Sequence, residues 1–523
     1  MDSIRKVRRV AGLAVSAWLF SLSALATPPP GPPSPTDWPA LTGQASEGPR
    51  HFESIHKGVF GGTKLKYRAS VAETIIKDPQ GKPAASAFTT AFTAVGIKDA
   101  ASRPVIFIYN GGPGGGSSFL MFGAFGPKRM SEFTSAAIAN PQTPVVDNAD
   151  SVLEMADLVF LDPPDTGFSR RLEGVAPRLF LSIDGDSFAM GQLIVRWLTA
   201  NGRLDSPVYL AGESYGTLRN VALARDLGKA TPKVNLRGLI MISQAITYNG
   251  PDSIRSFRPV DPLRAVTRLP DVAAVAWYHG KIDNQHQSVE DAVNEAIHFG
   301  RTEYIEALLE GNKLEENRRS VIAARLAEVT GIPAQYYLSH NLRIRDVRHE
   351  LLRSEGKALA QFDGRETEPL AGLPEDADRD WEAAVAGVTG AMEHYAEHEL
   401  GVKGLGHYVT VVHDPYGYEE GWTYVLPSQP PLDVVLTDVM KQNSNLRLLV
   451  PQGIFDTTSS MGSTRFLFEQ LDIPSDRVNL TYYPGGHMVY SDPDGLKKFM
   501  NDVRTFVKGG SPSSAFPAIS PAR

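Results

Sequence analysis

Between residues 51 and 250, short apolar runs alternate with stretches of helical spacing. KLKYRASVAETII and SAFTTAFTAVG are rich in β-branched and aromatic residues and predict strands. RPVIFIY and DLVFLD are short apolar runs that stop at Asn110-Gly111-Gly112 and at Asp162-Pro163. Residues 184–199, DGDSFAMGQLIVRWLT, carry apolar positions at helical spacing. SPVYLAG then predicts a strand, TLRNVALARDL a helix and LRGLIMIS another strand. Strands that run straight into turns and helices imply a mostly parallel sheet with helices on both faces.

The pattern changes from about residue 251 to 430. SVEDAVNEAIHF, TEYIEALLE and ENRRSVIAARLAEV are amphipathic and charged, with few strand signals, and predict a helical insertion. NLRLLVPQG and RVNLTYYPGG return to strand-then-loop, and DGLKKFMNDVRTFV follows as a helix. The expected architecture is one α/β core, residues 51–250 and 431–508, interrupted by a helical cap over 251–430. The proline-rich stretch 27–50 predicts an extended linker, and KGGSPSSAFPAISPAR leads into a flexible tail over 509–523. There is no internal repeat.

The chain has 523 residues, 42% of them hydrophobic and 21% charged, enough for a substantial globular core. Its formal charge of -7, with basic residues clustered only at the extreme N-terminus, argues against nucleic acid or an anionic membrane as partner. The start pairs Arg5, Lys6, Arg8 and Arg9 with an apolar run and the small-residue site Ala24-Leu25-Ala26. That is the make-up of a cleavable export signal over residues 1–26, with Thr27 as mature start and no stable membrane anchor left after cleavage. The absence of cysteine excludes disulfides and a thiol nucleophile. The expected location is the periplasm or exterior of a bacterium.

Within SPVYLAGESYG the serine of G-E-S-Y-G, Ser214, stands between a strand and a helix. A G-x-S-x-G turn in that context presents a serine hydroxyl as a nucleophile, with small neighbours permitting close backbone packing. Such a hydroxyl needs a base and an orienting acid, in the order Ser, acid, His for this class of fold. Asp456, in VPQGIFDTTSS, and His487, in YYPGGHMVY, follow strands in that order.

NGGPGGGSS, LDPPDTGFS, GESYG, the GIFD loop and GGHMVY resemble the serine carboxypeptidases, especially bacterial members, over roughly residues 50–505. The resemblance implies an α/β-hydrolase fold and a nucleophile–base–acid set of Ser214, His487 and Asp456. It implies oxyanion donors in the backbone N–H groups of Gly112 and Tyr215, where elbow geometry also places them. Asn110, the Gly111 N–H and Glu213 match the groups that hold a substrate's terminal carboxylate. A carboxyl binds a carboxylate only when one of the two is protonated. The chain departs from the family in carrying Ala124 where many members place a second glutamate that shares a proton with the first. Gly115 likewise replaces a cysteine found near this loop in eukaryotic members.

The implied activity is removal of C-terminal residues from peptides through an acyl-enzyme, without metal or cofactor. A proline iminopeptidase-like aminopeptidase, an esterase or acyltransferase, and a silent binding protein are the competing readings. His394-Tyr395-Ala396-Glu397-His398 spells a zinc-peptidase pattern but sits in a charged helical stretch, and reads as a solvated helix face. The run GGPGGG has no following Gly-Lys-Ser/Thr, so it is not a phosphate loop.

Overall fold

The computed structural model describes residues 50–246, 262–282, 288–372, 379–412 and 430–522. The export signal read over 1–26 and the linker read from residue 27 lie outside them, except for Arg50. Three long strands open the described chain, β1 (His51–Phe60), β2 (Thr63–Lys77) and β3 (Pro83–Ala94), paired antiparallel as a meander. They continue into β4 (Val105–Tyr109), β5 (Asp157–Leu161), β6 (Val208–Glu213), β7 (Leu236–Ile242), β8 (Arg447–Gly453) and β9 (Val478–Tyr483). The sheet order is β1-β2-β3-β5-β4-β6-β7-β8-β9, and the pairs from β5 onwards are parallel. A short Arg170–Arg171 ladder also pairs with β3.

Every residue of β4 and β5 is buried. Their continuous apolar runs therefore follow from a position covered on both faces, where period-two alternation has no solvent side to show. Alternate residues divide between two cores. Ile106, Ile108 and Phe160 join Phe122, Tyr490 and Phe499 on one face. Phe107, Tyr109 and Leu161 join Leu193, Trp197 and Leu218 on the other. Helices α1 (Ile183–Ala200) and α2 (Tyr215–Leu227) supply the second core, and the Ser182 hydroxyl caps α1 by accepting the Gly185 N–H at 2.9 Å.

The stretch between β7 and β8 brings α3 (Pro262–Tyr278), α4 (Val289–Phe299), α5 (Glu316–Thr330) and α6 (Arg379–His398). The first three surround a core of their own, with Leu269, Phe299 and Leu326 at its centre. Helix α6 instead joins a face of the main sheet through Val388, Met392 and Tyr395, an i, i+4, i+7 stripe. A two-stranded hairpin, Lys357–Leu359 with Thr367–Pro369, interrupts the otherwise helical segment. Helix α7 (Leu432–Gln442) closes this stretch before β8, α8 (Met461–Gln470) lies between β8 and β9, and α9 (Pro493–Val507) follows β9.

The end of the chain, expected as a flexible tail, makes contacts with the rest of the structure. It has no regular secondary structure, yet Phe516 lies on Tyr482 with ring centroids 4.4 Å apart, and the Ala522 N–H donates to the Tyr278 carbonyl at 2.8 Å. Glycine, proline and serine set its composition, but two apolar residues, Phe516 and Ile519, anchor it against the third core. Among the described residues no helix is long and apolar enough to cross a membrane.

Candidate active site

The candidate residues gather where the parallel strands end. Asn110 follows β4, Ser214 follows β6, Asp456 lies beyond β8 and His487 beyond β9. All strands run the same way here, so their carboxyl ends share one edge of the sheet, the edge at which such folds place ligands. Backbone hydrogen bonds carry the sheet's pairing on into the loops. The Ser214 N–H donates to the Ile242 carbonyl at 2.9 Å and the Ser243 N–H to Pro451 at 2.8 Å. The Ile454 and Phe455 N–H groups each donate at 3.0 Å, to Tyr483 and Gly485. These links run across the ends of β6, β7, β8 and β9.

Ser214 sits at φ 56° and ψ -124°, a backbone region that costs a non-glycine residue about 1–3 kcal/mol. The turn is held by the Ser214 carbonyl, which accepts the Thr217 N–H at 2.9 Å and its hydroxyl at 2.7 Å. Sharp reversal brings β6 against α2. A Cβ on Gly212 would lie 2.3 Å from the Gly216 carbonyl oxygen, so the first glycine of the motif is sterically required. A Cβ on Gly111 would lie 2.6 Å from the Tyr215 nitrogen, which shows how closely the loop carrying Gly111 and Gly112 presses on the elbow. Tyr215 opens α2, and the first N–H groups of a helix point away from its own ladder. An anion at that place meets backbone donors and the positive end of the helix dipole.

His487 and Asp456 are both buried, and the imidazole Nδ1 lies 2.9 Å from Asp456 Oδ2. The other carboxylate oxygen accepts the backbone N–H groups of Thr458 and Ser459, each at 2.8 Å. Gln452 donates to Oδ2 at 3.3 Å. Burial works against a charge on His487, but the Asp456 charge and hydrogen bond, with Glu213 adding to them, win and hold its pKa above the usual histidine value. The inserted hairpin supports this histidine directly. The Phe362 carbonyl accepts the His487 N–H at 2.6 Å, and Asp363 accepts the Gly486 N–H at 3.1 Å.

Glu213, beside the serine, is buried, and burial pushes its carboxyl up to about 7, against the opposing pull of His487 and of hydrogen bonds from Tyr490 and Asn110. The Asn110 side-chain amide donates to it. Asn110 is itself fixed, because its Oδ1 accepts the Leu120 N–H at 3.0 Å and its backbone carbonyl accepts Arg219 at 2.8 Å. Arg219 is wholly buried beneath the elbow, 2.7 Å from Asp186, with its guanidinium 5.0 Å from the Tyr109 ring centroid and 5.4 Å from that of Tyr215. Burial works against its charge, but interactions led by the charge of Asp186 outweigh that penalty and raise its pKa.

The structure thus places Ser214, Asp456, His487, Gly111, Gly112, Tyr215, Asn110 and Glu213 at one edge of the sheet, with direct side-chain contacts between His487 and Asp456 and between Asn110 and Glu213. Tyr490 and Arg219 contact this set and escape the sequence reading. Tyr490 lies inside the quoted GGHMVY stretch, three residues beyond the histidine, and that proximity is the one signal for it. His394 and His398 lie on α6, exposed and stacked at 4.2 Å, and among the described residues no group of three acidic or histidine side chains stands ready for a metal.

A mostly parallel sheet flanked by helices, with a serine on a strained strand-to-helix turn and a His–Asp pair at the same edge, defines an α/β-hydrolase. The model of the serine carboxypeptidase family matches residues 91–476, and the chain belongs to that family. Serine carboxypeptidase-like 13 of Arabidopsis thaliana is 26% identical over 147 residues, 28% of this chain. That match spans 33% of the plant protein's length. Among solved structures, KEX1(delta)p of Saccharomyces cerevisiae, a prohormone-processing carboxypeptidase, is similar with a TM-score of 0.52 at 14% identity, over 83% of this chain and 90% of that one. A proline iminopeptidase of Mycobacterium smegmatis aligns more loosely, with a TM-score of 0.35 at 15% identity, over 87% and 98% of the two chains.

Proposed function

We propose that this protein is an exported serine carboxypeptidase that removes the last residue of a peptide. The observation that carries the reading is the buried Glu213–Asn110 pair directly beside Ser214, which offers a terminal carboxylate a protonated acid and an amide donor. With the carboxylate held there, the last peptide bond of the substrate falls over the serine. His487 takes the Ser214 proton as the oxygen attacks that carbonyl carbon, and Asp456 stabilises the imidazolium. The N–H groups of Gly112 and Tyr215 hold the oxyanion. His487 then protonates the departing amine as the C–N bond breaks. A water, deprotonated by the same histidine, hydrolyses the acyl-enzyme.

The test offers two peptides, one blocked at its N-terminus and one at its C-terminus, to the wild-type enzyme and to Ser214→Ala. Release of C-terminal residues from the N-blocked peptide, lost in the variant, is expected. Cleavage confined to free N-termini would transfer the protein to the aminopeptidase reading, and turnover of esters alone to the esterase reading. For export, N-terminal sequencing of the mature protein should begin at Thr27; a chain retaining residues 1–26 refutes cleavage.

A further inference from the structure

The Tyr490 hydroxyl lies 2.9 Å from one Glu213 carboxyl oxygen and 3.1 Å from the other. Both side chains are buried, Tyr490 to 1% exposure. Its ring is held by Phe133 at 5.5 Å and Phe499 at 6.5 Å, and lies on Gly123, whose Cβ, if it had one, would be 2.2 Å from the ring. Gly123 adjoins Ala124, where the resemblance to the serine carboxypeptidases would place a second glutamate. A phenol therefore reaches Glu213 across the same turn that lacks the acid.

The chemistry of the two partners differs. A second carboxyl would share one proton with Glu213 and titrate as a coupled pair. A phenol donates to ionised Glu213 and accepts from protonated Glu213, keeping its own proton throughout. Asn110 cannot do this, since its oxygen is committed to the Leu120 N–H and only its amide faces Glu213. The other charged or titrating groups facing this carboxyl are His487 and Asp456, on the loops after β9 and β8. Arg219, below Asn110, is turned to Asp186 and to the Asn110 carbonyl.

We propose that Tyr490 is the positioning residue for Glu213, its reversible hydroxyl standing in for a second acid, so that a single carboxyl governs recognition of the substrate's terminal carboxylate. When the substrate arrives, protonated Glu213 turns its O–H to the ligand while Tyr490 keeps a hydrogen bond to the other oxygen. The inference rests on the carboxypeptidase reading for its substrate, and on Tyr490–Glu213 geometry alone for the pairing.

The experiment compares wild type, Tyr490→Phe and a full-length chain carrying 3-fluorotyrosine at position 490, a stronger donor of nearly the same shape. KM and kcat are followed across pH for an N-blocked dipeptide with a free C-terminus and for the matching ester, which has no carboxylate. In parallel, the Glu213 carboxyl is titrated by 13C NMR in glutamate-labelled enzyme, its signal assigned by loss in Glu213→Gln. A donor hydrogen bond favours the charged form, so Tyr490→Phe should move the Glu213 midpoint up by about one pH unit. The fluorinated residue should move it down. The rise of KM with pH on the free acid should follow both shifts, with kcat at acid pH changed less than about threefold, because the interaction serves binding. A midpoint that stays put in both variants overturns the pairing. Equal falls in kcat on acid and ester, with KM profiles unmoved, would make Tyr490 a packing residue and overturn it too. Failure to distinguish free acid from ester in the wild type sinks the carboxypeptidase reading instead, and the NMR titration still decides for or against Tyr490.

Discussion

Replacing Asp456 by Asn should disable the enzyme through tautomer choice, with the fold intact. Asp456 Oδ1 accepts two backbone N–H groups, from Thr458 and Ser459 at 2.8 Å each. An asparagine in the same place keeps its carbonyl oxygen on those donors, and so presents its NH2 group to His487 Nδ1, 2.9 Å from where Oδ2 now lies. The imidazole must then accept at Nδ1 and carry its proton on Nε2, the nitrogen that should receive the serine proton. Flipping the amide would restore the tautomer but set the NH2 group against two backbone donors, at a cost of roughly 1–3 kcal/mol for each unsatisfied group. Two such costs outweigh one hydrogen bond to the histidine, so the wrong tautomer prevails. In the well-studied serine protease triad the same change lowers kcat about 10⁴-fold, and a loss of about 10³–10⁴-fold is expected here. The assay is kcat on an N-blocked dipeptide, with thermal unfolding as the control for folding. A variant within about tenfold of wild type would show that Asp456 does not set the tautomer, and the reasoning would fail.

Glu213 makes a linkage prediction. Its carboxyl titrates near 7 when folded against an ordinary 4.5, so the folded state holds the proton longer and stability falls as pH rises between those values. Glu213→Gln should therefore gain on wild type by up to about 3 kcal/mol between pH 4.5 and 8 in urea denaturation, and parallel curves would refute this. Breaking the buried Arg219–Asp186 pair with Arg219→Ala should cost about 3–5 kcal/mol by the same measurement, since Asp186, whose pKa burial already raises, is left enclosed without its partner; a loss under about 1 kcal/mol would contradict it. Asp271 on α3 accepts the Met461 N–H and the Ser460 hydroxyl, both at 2.6 Å, at the start of α8. Asp271→Ala should cost about 1–3 kcal/mol and Asp271→Asn clearly less in thermal unfolding, since the amide keeps one acceptor oxygen and the Ser460 hydroxyl can turn to accept from its NH2 group; equal losses would mean that these contacts do not matter to stability.

Much of the site was legible because its demands are local. The glycines around Ser214 answer to close backbone approach within a few residues, and the Ser, Asp, His order follows the order in which parallel strands end. The central strands were legible because double burial erases alternation, as in VIFIY. What escaped the sequence depends on distant segments meeting. Tyr490 is 277 positions from Glu213, and nothing in a lone tyrosine announces which carboxyl it will face. The hairpin that holds His487 was hidden inside a stretch dominated by helical periodicity, since three-residue strands are too short to show period two. The packing of Phe516 and Ile519 was hidden by the composition of the tail, since their partners lie elsewhere in the chain.

The contact of Phe362 and Asp363 with the histidine loop bears on how this enzyme can be rebuilt. Grafting the inserted segment of a relative onto this scaffold, in search of a new substrate preference, would also remove the two acceptors that seat residues 486 and 487. The natural unit of exchange is therefore the hairpin together with the loop from Gly485 to Tyr490, moved as one piece. Chimeras with a junction between them should lose turnover before they reveal any change in preference.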